Sequence, residues 1–153
     1  MHRRSTDRCP PRLRPAGIAV VVLVLTGCTG GSVLGILDTE QTERDLPGIR
    51  TDLDGVDLAS TRFLAERDGI EYFAAVPEGG SGAEDSTVCL LVEEGIGVGL
   101  ECAPLERGST GAVIRDSLVT AVLLPDDIDR NAVVDEGFEL LHPNLAIRAA
   151  DAG

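Results

Sequence analysis

The chain has 153 residues, which is enough for one domain and too few for two. Its 13 basic side chains are all arginine and stand against 26 acidic ones, so the formal net charge is −13 at pH 7. A surface of that sign repels phosphate groups, which argues against nucleic-acid binding and against attachment to anionic lipid through a basic patch.

The first 28 residues have the order of a secretion signal. Residues 1–15 are polar and basic, and residues 17–25 are almost entirely apolar. The apolar run is too short for a helix to cross a bilayer, which takes about 20 apolar residues, but it has the usual length of a signal-peptide hydrophobic region. The alternatives are an ordinary signal peptide and a short core helix that ends in cysteine.

The four residues Leu25, Thr26, Gly27 and Cys28 resemble the lipobox of bacterial lipoproteins. The resemblance implies that diacylglycerol is attached to the sulfur of Cys28 and that a peptidase cleaves between Gly27 and Cys28. Two acyl chains anchor stably, because each buried methylene contributes about 0.8 kcal/mol. We therefore expect residues 1–27 to be a lipoprotein signal peptide and the mature protein to lie on the outer face of the cytoplasmic membrane.

Cleavage before Cys28 changes the charge balance. It removes five arginines and one aspartate and leaves 8 basic and 25 acidic side chains, a formal charge of −17. Lipid on Cys28 is then the expected source of membrane affinity, and Cys9 is discarded with the leader.

Residues 28–50 are predicted to be a lipid-anchored, flexible tether. They begin with a short run of Thr, Gly and Ser, continue with an apolar patch at residues 33–37, and end in a polar stretch before Pro47. The apolar patch has three alternative positions: on the membrane surface, within the tether, or docked on the domain.

Residues 51–153 are predicted to form a β-rich domain outside the cytoplasm. Short apolar runs alternate with Asp, Gly and Pro, and long patterns with the helical period are absent. Asp68-Gly69 between the first two runs predicts a type I′ hairpin turn. The expected fold is mainly β, a small antiparallel sheet domain with hairpins and one disulfide. The predicted strands are residues 61–67, 70–76, 87–94, 96–103, 112–115, 119–124, 138–141 and 145–148.

Cys89 and Cys102 are predicted to form the disulfide. If Gly95-Ile96 is a two-residue type II′ turn, alternate pairing outward from it puts the two cysteines opposite each other at a non-hydrogen-bonded position, where Cα atoms are about 4.5 Å apart. Leu91 would share their face, which is expected to point to the core. A redox or metal-binding pair is the weaker alternative, since the spacing is not CxxC and only one histidine follows the leader.

The search for catalytic chemistry finds little. His142 is the only histidine after the leader, lysine is absent, and no GxSxG motif occurs. His142 is interpreted as a turn residue after a strand. We expect a protein that is not an enzyme and has no cofactor; the alternative is a lipid-tethered hydrolase that uses a pair of carboxylates.

Asp127, Asp129, Asn131 and Asp135 have the spacing of positions 1, 3, 5 and 9 of an EF-hand calcium loop. Ala132 stands where that loop has glycine, and the glutamate of position 12 comes one residue late. The alternatives are therefore a weak calcium site and an acidic connecting loop.

Residues 57–147 resemble small exported proteins of unassigned function from high-GC Gram-positive bacteria. The resemblance rests on Asp57-Leu-Ala-Ser60-Thr61-Arg62, on Cys89-Leu90 with a second cysteine in the next strand, and on Pro143-Asn144-Leu145. It implies an exported β domain and supplies no catalytic residues. Together these features predict a surface lipoprotein that binds or supports a protein partner in the cell envelope; a calcium or small-ligand binder is a further alternative.

Overall fold

The structure is a computed structural model that describes residues 32–49, 53–80 and 87–150. It contains two four-stranded antiparallel sheets, here sheet A in the order β1-β2-β3-β4 and sheet B in the order β5-β6-β8-β7. The mainly β fold is therefore confirmed. The strands are β1 (Val56–Arg67), β2 (Ile70–Pro77), β3 (Thr87–Glu94), β4 (Gly97–Pro104), β5 (Val113–Arg115), β6 (Val119–Leu123), β7 (Glu139–His142) and β8 (Leu145–Ala149).

Two hairpin turns have the predicted form. Asp68 and Gly69 both have positive φ, 54° and 80°, as a type I′ turn requires. Gly95 has φ 57°, whereas Ile96 is not among the residues with positive φ, which agrees with a type II′ turn. In each hairpin, the two turn residues therefore set the register in which the two flanking strands pair.

One hydrophobic core lies between the two sheets. β1 also contacts β7, and β4 contacts β5, so the strands surround this core on both sides. The buried side chains that form it include Leu64, Tyr72, Ala74, Val88 and Leu90 from sheet A and Ala121, Leu123, Leu145 and Ile147 from sheet B.

The ends of the two sheets coincide. Ile70 pairs with Glu94 in sheet A, and Val119 pairs with Ala149 in sheet B. These four residues line one cleft, so we call this end of the domain the cleft end. The opposite end of β6 leads to Asp126, and we call that end the Asp126 end.

The disulfide between Cys89 and Cys102 is present, with the two Cα atoms 4.0 Å apart. The two residues are direct partners in the β3–β4 register, as predicted. The expected core face needs correction: Cys89 and Leu91 are fully buried, but on the outer face of sheet A, where Cys89 packs in a smaller cluster with Val56 and Ala75. The main core contacts the other face of β3. Because β3 is buried on both sides, its sequence does not show which face points to the main core.

The predicted tether also needs correction, because residues 32–49 are packed against the domain. Leu34, in the apolar patch, is 1% exposed and belongs to the main core. The patch, residues 33–37, therefore takes the docked position among the three alternatives. Residues 33–37 thus belong to the packed part of the chain, although they precede the predicted start of the domain at residue 51.

Residues 42–49 cover the outer face of sheet A. The guanidinium of Arg44 lies 4.2 Å from the centre of the Phe63 ring, which packs edge-on against Phe73. The Glu93 carboxylate accepts hydrogen bonds from the backbone nitrogens of Gly48 and Ile49, at 2.8 and 3.1 Å. This cover explains how both faces of β2 and β3 are buried.

The motif from Asp57 to Arg62 forms the irregular part of β1 that receives this segment. The pairing of β1 with β2 shifts register between Asp57 and Arg62. Ser60 donates a hydrogen bond to the carbonyl of Asp57 and accepts one from the nitrogen of Val76. The side-chain nitrogen of Gln41 donates to the hydroxyl of Thr61 at 3.0 Å. A motif that carries the resemblance therefore has a structural role.

The outer face of sheet B is covered by α1 (Arg130–Asp135), from which Val133 packs on Val122, Leu124 and Ala146. Within the described ranges, the structure has no helix long and apolar enough to cross a membrane.

Candidate functional site

A cleft of about 450 Å³ opens between the two sheets at the cleft end. Its size falls within the usual range of small-molecule and side-chain pockets. Sheet A supplies Arg67, Asp68, Ile70, Tyr72 and Glu94, and the other wall consists of Leu118, Val119, Gly137, Glu139, Ile147, Arg148 and Ala149.

Tyr72 forms the inner wall of the cleft. Its side chain is 1% exposed, yet its hydroxyl makes no hydrogen bond to any described residue. Every fully buried side-chain polar atom in the described part of the chain has a hydrogen-bond partner, so this hydroxyl is reached from the cleft. Burial raises the pKa of Tyr72, the charge of Asp116 raises it further, and Arg67 opposes them. The hydroxyl is therefore protonated at neutral pH and is free to donate or accept.

The two arginines of the cleft already have partners. Arg67 forms an ion pair with Glu139, with 2.5 Å between Nη1 and Oε2. The guanidinium of Arg148 lies 4.6 Å from the centre of the Phe138 ring and donates a hydrogen bond to the carbonyl of Glu136 at 3.2 Å. Cationic groups in the cleft are thus engaged by the protein.

Glu94 differs from these groups. Its side chain is exposed, lines the cleft, and has no hydrogen bond or ion pair with the residues that the structure describes. Asp68 contributes a second carboxylate, whose side chain is 87% exposed and lies 3.7 Å from Nε of Arg67. The uncommitted charge in the cleft is therefore negative.

Two exposed apolar side chains belong to turns at the cleft end. Leu118 lines the cleft and is 70% exposed, and Ile96, in the turn after Glu94, is fully exposed. The turn that presents Leu118 is held by Asp116, whose carboxylate accepts hydrogen bonds from the nitrogens of Leu118 and Val119, both at 2.7 Å. Leu118 is thus fixed in position at the rim by backbone hydrogen bonds.

This cleft was not predicted from the sequence. Strand alternation does place Ile70, Tyr72 and Glu94 on one face of sheet A, since Ile70 pairs with Glu94 and Tyr72 with Val92. The other wall comes from residues more than 20 positions later in the chain. Only the packing of the two sheets brings these walls together.

The EF-hand-like residues do not converge on one point. Asp129 caps α1, and its carboxylate accepts hydrogen bonds from the nitrogens of Asn131 and Ala132. The carboxylate of Asp127 accepts from the nitrogen of Gly108, and Asp135 is exposed at the end of the helix. No group of three or more potential metal ligands occurs among the described residues. In this segment, Asp129 therefore caps a helix and Asp127 makes a loop contact.

His142 is the last residue of β7 and pairs with Leu145, so it lies in the strand and not in the turn after it, where it was predicted to lie. Its Nδ1 accepts a hydrogen bond from the nitrogen of Asn144 at 3.1 Å. Burial lowers the pKa of His142, the charge of Arg130 lowers it further, and Asp126 opposes this. The imidazole acts as a neutral acceptor within the turn.

Three carboxylates lie around a shallow hollow at the start of β1, away from the cleft. They are Asp54, Asp57 and Glu78. Asp54 and Glu78 are exposed, and Asp57 accepts a hydrogen bond from the nitrogen of Ala59. The hollow groups carboxylates as the hydrolase alternative requires, and so does the cleft, with Asp68, Glu94 and Glu139.

Gly27 and Cys28, the predicted cleavage and lipidation residues, lie outside the described residues. Comparisons with protein-family models, with curated proteins and with solved structures find no match to this chain.

Proposed function

We propose that the protein is a lipid-anchored binding module on the outer face of the cytoplasmic membrane, and that it presents the cleft to a partner in the envelope. The observation that carries the anchor is the run Leu25, Thr26, Gly27 and Cys28 after an apolar segment of signal-peptide length. The disulfide between Cys89 and Cys102 supports export, because such bonds persist mainly in oxidising compartments.

The position of Ser32 supports an orientation for the anchored domain. The carbonyl of Val33 accepts a hydrogen bond from the nitrogen of Asp126, and the nitrogen of Gly35 donates to the Asp126 carboxylate at 2.7 Å. The chain therefore joins the domain at the Asp126 end. The four residue steps from Cys28 to Ser32 span at most about 14 Å, so lipid on Cys28 would hold this end near the membrane and direct the cleft away from it.

Lipid attachment is tested by the variant Cys28→Ala, with Cys9→Ala as the matched control. We expect wild type and Cys9→Ala to incorporate labelled palmitate and to enter the detergent phase on Triton X-114 partitioning. Cys28→Ala should lose the label and be released or remain an unprocessed precursor. Mature, detergent-phase protein from Cys28→Ala would contradict the proposal.

The orientation is tested by coupling a maleimide lipid to Cys28 of the mature chain in nanodiscs. Cys28 is the only thiol left in that chain when Cys89 and Cys102 are bonded. With a paramagnetic headgroup in the bilayer, amide signals of Asp126 should be attenuated more than those of Leu118. Equal or reversed attenuation would contradict the orientation.

A further inference from the structure

We propose that the cleft binds a basic, apolar peptide segment of a partner protein, with a lysine or arginine side chain inserted between aliphatic neighbours. This inference names the ligand class of the proposed binding module and rests on that function. It follows from which polar groups of the cleft are engaged and which are not.

The polar groups that remain uncommitted call for a hydrogen-bond donor with a positive charge. The cleft's arginines are engaged by Glu139 and by Phe138 with the Glu136 carbonyl. The Tyr72 hydroxyl and the Glu94 carboxylate have no partner among the described residues and line the same cleft. An ammonium or guanidinium group matches the chemistry of each, since it donates several hydrogen bonds and carries the charge complementary to that of Glu94.

The apolar surface of the cleft fits a ligand larger than a small cation. Ile70, Val119 and Ile147 form the aliphatic part of the wall, which suits the methylene stem of a long basic side chain. Leu118 lines the cleft, Ile96 lies in the turn after Glu94, and both remain largely exposed. They offer contact area to residues next to the inserted side chain, which a free amine would leave unused.

The overall charge favours the same ligand. The mature chain has 25 acidic and 8 basic side chains, so its field attracts cationic partners and repels anionic ones over about a Debye length. A basic segment would be drawn to the domain before it reaches the cleft.

The proposal is tested by isothermal titration calorimetry on the full lipidated protein in nanodiscs of neutral phosphatidylcholine, with empty nanodiscs as the blank. The probes are acetyl-Leu-Lys-Leu-amide, acetyl-Leu-Glu-Leu-amide and n-hexylammonium. We expect the lysine peptide to bind at least about tenfold more tightly than either other probe, and its affinity to fall between 50 and 500 mM NaCl.

Two conservative variants connect this binding to the cleft. Tyr72→Phe removes only the hydroxyl, and Glu94→Gln removes only the charge; each should weaken the lysine peptide about fivefold or more. The matched control is Glu101→Gln, which changes an exposed carboxylate of β4 outside the cleft and should leave the affinity unchanged.

The outcomes separate this inference from the proposed function. Tighter binding of the glutamate peptide at a site sensitive to Leu118→Asp would leave a binding module in place and overturn the ligand class. Equal binding of n-hexylammonium would overturn the peptide assignment. Equal effects of Glu94→Gln and Glu101→Gln, or no heat with any probe at millimolar concentration, would overturn the cleft as the binding site, whereas the palmitate experiment tests the anchor alone.

Discussion

The guanidinium group of Arg62 in β1 donates hydrogen bonds to the carbonyl oxygen of Thr39, from Nε at 3.0 Å and also from Nη2. It donates as well to the carbonyls of Ala59 and Thr61, at 3.2 and 2.8 Å. Arg62 is 7% exposed, and no carboxylate forms a salt bridge with it among the described residues. Carbonyl oxygens thus replace water around a buried charge, and the same bonds hold the N-terminal segment on the irregular part of β1.

Replacement of Arg62 should destabilise the fold strongly. Arg62→Ala removes the donor to the part-buried carbonyls of Thr39 and Ala59 and to the buried carbonyl of Thr61, and we expect a loss of about 2–4 kcal/mol in the free energy of unfolding. The control Arg67→Ala removes an exposed ion pair and should lower the free energy of unfolding far less. Urea denaturation followed by circular dichroism measures both, and similar losses for the two variants would contradict the role of Arg62.

The contribution of Asp45 to stability should depend on pH. Burial alone would raise the pKa of this carboxyl, but hydrogen bonds from the nitrogen of Phe63 and from the hydroxyl and nitrogen of Thr42 hold it below the ordinary value of 3.8. A depressed pKa means that the stabilisation is complete above the ordinary value and is lost as the pH falls through it and below.

Asp45→Ala should therefore cost about 1 kcal/mol at pH 7, and the difference from wild type should shrink as the pH falls below 3.8. Glu40→Ala, an exposed carboxylate in the same segment, is the control. Denaturation midpoints measured from pH 7 to pH 2.5 test this, and a difference that stays constant over the range would rule it out.

His142 should resist protonation in the folded protein. Burial and the charge of Arg130 lower its pKa below the ordinary value of 6.5, and the hydrogen bond from Asn144 requires a neutral Nδ1. The unfolded chain takes up this proton first, so stability should fall as the pH drops from 6.5 towards the folded pKa.

In a chain that begins at Cys28, as proposed, His142 is the only histidine, so its signal needs no assignment. An NMR titration of the imidazole carbon signals should give a midpoint below 6.5, and His142→Gln should flatten the dependence of stability on pH in that range. A midpoint at or above 6.5 would refute the inferred environment.

Loss of the disulfide should destabilise the protein without changing its strand order. The double variant Cys89→Ala/Cys102→Ala opens a loop of 13 residues, which corresponds to about 3 kcal/mol in the chain-entropy description. Urea denaturation measures the loss, and alkylation of the non-reduced mature protein followed by mass spectrometry should find no free thiol at either position. Two alkylated thiols there would contradict the bond.

Local chemistry in the sequence was sufficient to predict the eight strands, apart from the first five residues of β1, and two of the turns between them. Asp68-Gly69 and Gly95-Ile96 specify two-residue turns, because only residues that tolerate positive φ suit the first position of each. Counting outward from the second turn paired Cys89 with Cys102, since side chains alternate along a strand with a period of two. Both results depend on residues close to one another in the chain.

The packing of distant segments required the tertiary structure. An apolar patch such as residues 33–37 has the same composition in a tether, on a membrane or in a core, and only its contacts with the domain decide among these. A strand buried on both faces, such as β3, shows no polar face that would identify the main core. The cleft arises in the same way, because Tyr72 and Glu94 become parts of one cleft only when Leu118 and Ile147 from the other sheet close over them.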